Sequence, residues 1–176
     1  PITVTLDGFS LSSASSEGRG IDVRYATVDI SDFEVAGFDI DAGGAALRVR
    51  RDSDVTVSDS MFQNNDADVD YGGHIYVDDA TLTLEDSSLW DGVGGYGGAI
   101  YAEDSDVVID GCDFDGNEAV SPSYYAYAYG GAIAQSGGTL MISDTTFAYD
   151  TIDQRGQGGH IAAWEATLYL VSTTLE

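Results

Sequence analysis

Apolar residues return along this chain at fixed offsets. Ile75, Leu84 and Leu89 are separated by nine and five residues, and the same offsets recur in three further triplets. These are Ile100, Ile109, Phe114; Ile133, Ile142, Phe147; and Ile161, Leu170, Leu175. Ile21, Ile30 and Val35 keep the same spacing, Leu47, Val57 and Phe62 stretch the first step to ten, and Leu6 and Leu11 keep only the five. The chain therefore holds seven copies of one unit, the first truncated. Around the anchors apolar and polar residues alternate with period two, as in Leu82-Thr83-Leu84-Glu85, Val55-Thr56-Val57-Ser58 and Leu140-Met141-Ile142-Ser143. That pattern predicts short strands with one face buried. The step from the third anchor to the next copy varies from 10 to 19 residues, so insertions collect on one loop edge.

Three short strands per copy predict a three-sided coil whose apolar side is buried only when copies stack. The expected fold is all-β, a single-stranded parallel β-helix solenoid, right-handed, with about seven three-strand rungs about 4.8 Å apart. A β-sandwich also has short alternating strands, but it does not require constant offsets in copy after copy. Gly-Gly pairs at 43-44, 72-73, 97-98, 130-131 and 158-159 open successive coils. Two residues past each second anchor stands Gly8, Asp32, Asp59, Asp86, Gly111 or Asp144, with Ser172 in the last copy. Gly and Asp there predict a tight turn through left-handed backbone. Residues 1–176 form one β-helix domain that begins and ends in strand pattern, so it is expected to be part of a longer solenoid or a subunit that stacks on copies of itself.

Charge narrows the partners. There are 31 acids and six bases, all arginine, for a formal net charge of -25. Such a chain does not bind nucleic acid through a basic patch. No apolar run approaches the roughly 18–20 residues needed to span a membrane, so direct membrane insertion is not expected. Any export leader is expected to have been removed or to lie outside this segment. One cysteine makes no internal disulfide. A hydrated acidic surface suits a saline or extracellular setting and attracts cations, calcium above all.

Gly97-Gly98-Ala99-Ile100 followed by Phe114-Asp115-Gly116-Asn117 resembles the repeats of the chlamydial polymorphic outer membrane proteins. Gly130-Gly131-Ala132-Ile133 and Phe62-Gln63-Asn64-Asn65 match in part. The resemblance implies a secreted, surface-displayed passenger domain, often adhesive. Phe38, Gly92 and Asp150 stand where the motif has Asn, which predicts a broken Asn ladder. The Gly-Gly-x-Gly-x-Asp pattern of calcium-binding toxin repeats is absent.

Several residue groups are candidates for chemistry. His74 and His160 share one repeat position three rungs apart, too far to share a metal, and are expected as outward polar strand residues. Asp32, Asp59 and Asp86 stack on consecutive rungs, either as solvated turn residues or as a calcium ladder. Tyr71, Tyr96 and Tyr129 each precede a Gly-Gly pair, and Tyr76 and Tyr101 fall on the outward phase. Stacked rings explain Tyr71, Tyr96, Tyr76 and Tyr101. The insertion Ser121-Pro122-Ser123-Tyr124-Tyr125-Ala126-Tyr127-Ala128-Tyr129 has a paratope-like composition, and Tyr124, Tyr125, Tyr127 and Tyr129 are the candidate glycan- or protein-binding residues. Arg48, Arg50 and Arg51, near Asp52 and Asp54, are the one candidate for lyase-like catalysis; offsetting local negative charge is the simpler role. Cys112 shares the inward phase with Ser60, Ser87 and Thr145 and reads as a buried thiol. The expectation is a non-enzymatic extracellular or cell-surface module, structural or adhesive. It requires no cofactor, and its partners are its own copies, adjacent rungs, glycans or cell-surface proteins. The alternative is a polysaccharide-binding or lyase-like polysaccharide-active domain.

Overall fold

The computed structural model describes residues 2–13, 18–68, 70–121, 126–153 and 156–176. Its strands stack in parallel on three faces, forming a right-handed β-helix of about six turns. The first face is a six-stranded sheet of Ile21–Arg24, Leu47–Arg50, Ile75–Asp78, Ile100–Glu103, Ile133–Ser136 and Ile161–Trp164. The second face holds Asp54–Ser58, Thr81–Glu85, Asp106–Asp110, Thr139–Ser143 and Thr167–Val171. The third holds Met61–Gln63, Ser88–Trp90, Asp113–Asp115, Thr146–Ala148 and Thr174–Leu175. The long strands Ile2–Ser12 and Ala26–Ala36 run through both of these faces and join them into one sheet. Ile2–Ser12 lies below the first full turn, which accounts for the truncated first copy.

The anchors are in register. Ile21, Leu47, Ile75, Ile100, Ile133 and Ile161 pair in sequence along the first face. Leu6, Ile30, Val57, Leu84, Ile109, Ile142 and Leu170 do so on the second. Leu11, Val35, Phe62, Leu89, Phe114, Phe147 and Leu175 do so on the third. From Val57 to Phe147 these side chains are buried, and Phe114 stacks on Phe147 at 4.6 Å.

The corners explain the Gly and Asp content. Asp32, Asp59, Asp86 and Asp144 have φ of 46–49°, Gly8 and Gly111 63° and 65°, and Ser172 50°. A second corner uses Asp79 and Asp104, and a third Asn64, Asp91 and Gly116, all at positive φ. Short polar side chains reach this conformation at low cost by bonding locally. The loop edge needs glycine itself. Gly97 has φ +66° and a Cβ there would stand 1.9 Å from the Ile100 carbonyl oxygen; one on Gly98 would stand 2.2 Å from the Gly131 carbonyl oxygen.

Side chains knit the same corners. Ser60 Oγ accepts from the Phe33 amide at 3.1 Å and donates to the Ser58 carbonyl at 2.6 Å. Ser87 Oγ accepts from the Ser60 amide, and Thr145 Oγ1 from the Cys112 amide. Cys112 is a member of this ladder. Its Sγ lies 3.3 Å from the Asp110 carbonyl, and burial pushes the thiol up to about 12, as for a thiol packed in a core.

Candidate functional site

Alternation along the first face sends every second side chain outward, and the register turns these into two columns. One reads Asp22, Arg48, Tyr76, Tyr101, Ala134, Ala162; the other Arg24, Arg50, Asp78, Glu103, Ser136, Trp164. Beside them, at the loop edge, Tyr71, Tyr96 and Tyr129 are bridged rung to rung. The rings converge. Tyr76 stacks on Tyr101 at 5.7 Å, Tyr71 on Tyr101 at 4.8 Å, and Tyr96 on Tyr129 at 5.4 Å. Trp164 closes the row, 5.1 Å from Tyr129 and 6.4 Å from Tyr101. Ala134 lies between the rungs of Tyr101 and Trp164, and its small side chain lets those rings approach across it.

Tyr101 is outward in phase yet only 5% exposed, because its neighbours cover it. Burial raises the phenols of Tyr76 and Tyr101, and the carboxylates of Asp78 and Glu103 raise Tyr76 further. Tyr76 Oη donates to Glu103 Oε2 at 3.4 Å. A groove of about 690 Å³ opens between Tyr96, Tyr129 and Trp164, floored by Ile161, Ala162 and Ala163. Tyr127, half exposed, stands 6.4 Å from Tyr129. Tyr124 and Tyr125 lie outside the described residues. The groove is built from Tyr96, Tyr129 and Trp164 rather than from the insertion alone. Trp164 is a groove residue that the repeat pattern does not single out, although it stands three residues after the Ile161 anchor, in the column of Asp78 and Glu103.

The arginines gather on one carboxylate. Arg24 Nη2 reaches Asp22 Oδ2 at 2.7 Å and Arg50 Nη2 reaches it at 3.2 Å, with Arg48 Nη2 also bonded to it. Burial pushes Asp22 up, but the three guanidinium hydrogen bonds outweigh it and hold the carboxyl well below the usual range. The partner is thus Asp22, not Asp52 or Asp54. Arg51 instead lies over the Tyr25 ring at 5.9 Å. Arg19 donates to the Gly43 and Gly44 carbonyls at 2.6 Å each, and burial lowers its guanidinium to about 10.

The histidines are not outward strand residues. His74 is fully buried, and His160 is partly so. The reason is the ladder at the third corner. Asn65 Oδ1 accepts from the Phe38 amide, and Asn117 Oδ1 from the Gly92 amide. Gly92, between them, has no side chain to contribute. A Cβ there would stand 2.6 Å from the Gly98 carbonyl oxygen, so the loop excludes an Asn. His74 fills the space from the side. Its Nδ1 lies 3.0 Å from Asn65 Nδ2, and its Nε2 ends where a Gly92 side chain would begin, without a hydrogen bond. Asp150 continues the ladder, its Oδ1 accepting from the Asn117 amide at 2.9 Å and its Oδ2 facing His160 Nδ1 at 3.0 Å. The ladder is therefore interrupted at Gly92, where His74 fills the space beside Asn65, and it resumes at Asn117 and Asp150.

Asp32, Asp59 and Asp86 occupy the left-handed corner positions described above. A shallow acidic trough of about 520 Å³ runs along another corner past Asp52, Asp54, Asp79, Asp104 and Asp106. Among the described residues no group of three or more His, Cys, Asp or Glu side chains is arranged to hold a metal ion.

The stacked registers and corner ladders agree with a family comparison: the model of the right-handed β-helix region matches residues 4–175. This chain belongs to the right-handed β-helix family. Comparison with curated proteins and with solved structures gives no match. Right-handed β-helices supply a rigid stack of flat faces, and what such a protein does lies in the side chains those faces carry. Here the first face is distinguished by its row of rings and its arginine cluster.

Proposed function

We propose that this protein is a non-enzymatic module of an extracellular or cell-surface protein, an adhesive rod that binds glycans along its first face. The observation that carries this reading is the row of rings that ends in the open groove of Tyr96, Tyr129 and Trp164. Its volume of about 690 Å³ is that of a site for a small molecule or a short sugar stretch. Ring faces pack on the apolar C–H faces of a sugar, while phenol hydroxyls and the carboxylates of Asp78 and Glu103 are partners for its hydroxyls. Tyr76, Tyr101 and Trp164 are held by strands and Tyr71, Tyr96 and Tyr129 by rung-to-rung bridges, so little entropy is lost on binding. The Gly-Gly-Ala-Ile and Phe-x-x-Asn motifs support display on a cell surface, as in the chlamydial polymorphic outer membrane proteins.

The non-enzymatic reading is supported by the burial of His74, Cys112 and Asp150 in corner ladders, where none of them lines the groove. Binding to a glycan array is expected for the wild type, with loss of signal in Trp164→Ala and in Tyr129→Ala. An array on which the wild type binds no glycan would sink this reading. A rise in ultraviolet absorbance on incubation with acidic polysaccharides would replace it with a lyase.

A further inference from the structure

The arginine cluster adjoins the ring row in the same outward columns. Arg48 is the register partner of Tyr76, and Arg50 that of Asp78. Three guanidinium groups share the single carboxylate of Asp22, leaving two positive charges uncompensated within the cluster. The side chains of Arg48 and Arg50 are each 18% exposed, so they are held in place yet open to solvent. The Nε of Arg48 is buried without a hydrogen-bond partner. A chain with six bases against 31 acids has gathered three of those six on one spot.

We propose that Arg48 and Arg50 form an anion subsite for a glycan bearing one acidic group, a carboxylate or a sulfate, whose neutral sugars run along the rings toward Trp164. This rests on the glycan reading above and names its ligand class. Guanidinium groups match planar carboxylate and sulfate oxygens with paired donors. The next positions in the second column, Asp78 and Glu103, carry the opposite charge. A polymer charged on every residue is repelled there, so the site selects a single charge beside neutral sugar.

The test is an array in which neutral cores stand beside their singly sialylated and singly sulfated forms, with oligogalacturonates as the uniformly charged arm. One or both singly acidic forms are expected to bind at least about tenfold tighter than their neutral core, as a charge-assisted hydrogen bond provides. Oligogalacturonates are expected to bind less well than those forms. Arg48→Gln combined with Arg50→Gln should erase the preference and leave neutral binding unchanged. Asp22→Asn removes the competing carboxylate and should tighten the acidic ligand. Equal binding of neutral and acidic forms overturns the subsite and leaves the glycan reading standing. So does neutral binding retained with oligogalacturonates bound best, or weakening by Asp22→Asn to the level of the double variant. Binding of no glycan at all removes the reading beneath it, and the subsite with it.

Discussion

His74 shows how one residue can fill a gap in a repeat. The corner ladder carries polar side chains at Asn65, Asn117 and Asp150, and the Gly98 carbonyl denies one to position 92. An imidazole from the neighbouring segment supplies the acceptor for Asn65 and fills the volume. The cost is a titratable ring in the core. Burial lowers its pKa from 6.5 to about 3. The unfolded chain therefore takes up this proton before the folded one does, so the stability tied to His74 is complete above about pH 6.5 and falls as pH drops toward 3. Asp150, whose pKa burial raises, works in the opposite sense. Urea unfolding at about pH 7 and about pH 4 should show the wild type losing about 3 kcal/mol more than His74→Gln between the two. Equal losses would mean that the ring is not buried neutral. No sequence pattern announced this role. His74 shares its repeat position with Ala99 and Ala132, and strand alternation alone assigns a polar residue there to solvent. The clash that puts it inside belongs to a loop folding back from the next turn.

At the scale of the strand, outward phase and exposure separate. Strand alternation placed Tyr76 and Tyr101 outside, and register confirms it. Tyr101 is nonetheless buried by Tyr71, Tyr96 and Trp164 packed around it. Tyr101→Ala is accordingly expected to cost about 3 kcal/mol, as for a buried aromatic, measured by denaturant midpoint. Tyr127→Ala, at 51% exposure, should stay within about 0.5 kcal/mol of wild type. If Tyr101→Ala were equally mild, the ring row would be a surface ornament rather than packed structure. The strands themselves were legible because offsets of nine and five residues are a direct image of three stacked columns. The corner Asp and Gly residues were legible for the same reason, since each repeats once per turn. Trp164 and Asp22 were not. Each is a single occurrence in a column otherwise filled by other residue types, and a repeat reveals only what recurs.

The whole molecule divides by charge. Residues 18–51 hold five of the six arginines against six acids, while residues 52–176 hold one arginine and 23 acids. The solenoid turns this sequence asymmetry into an axial one, because chain order is rung order. The arginine cluster therefore lies at one end of the first face, and the acidic corners run along the rest. Most of these acids project from corners and outward positions, so they repel one another without entering the core. That repulsion opposes folding and is relieved by screening. Raising sodium chloride from about 10 mM to about 0.5 M should lift the Tm on the order of 5 °C, equivalent to about 2 kcal/mol for a chain of this size. The cation need not be specific for this effect. Calcium and magnesium at matched ionic strength should therefore raise the Tm equally, and a chelator should leave the unsupplemented protein unchanged. If calcium stabilised well beyond magnesium, a dedicated site would have to be built from carboxylates along the corners. Asp32, Asp59 and Asp86 would be the first to replace with Asn, followed by Asp52, Asp79 and Asp104 in the trough. Loss of the calcium-specific increment in one set alone would show which corner holds the ion.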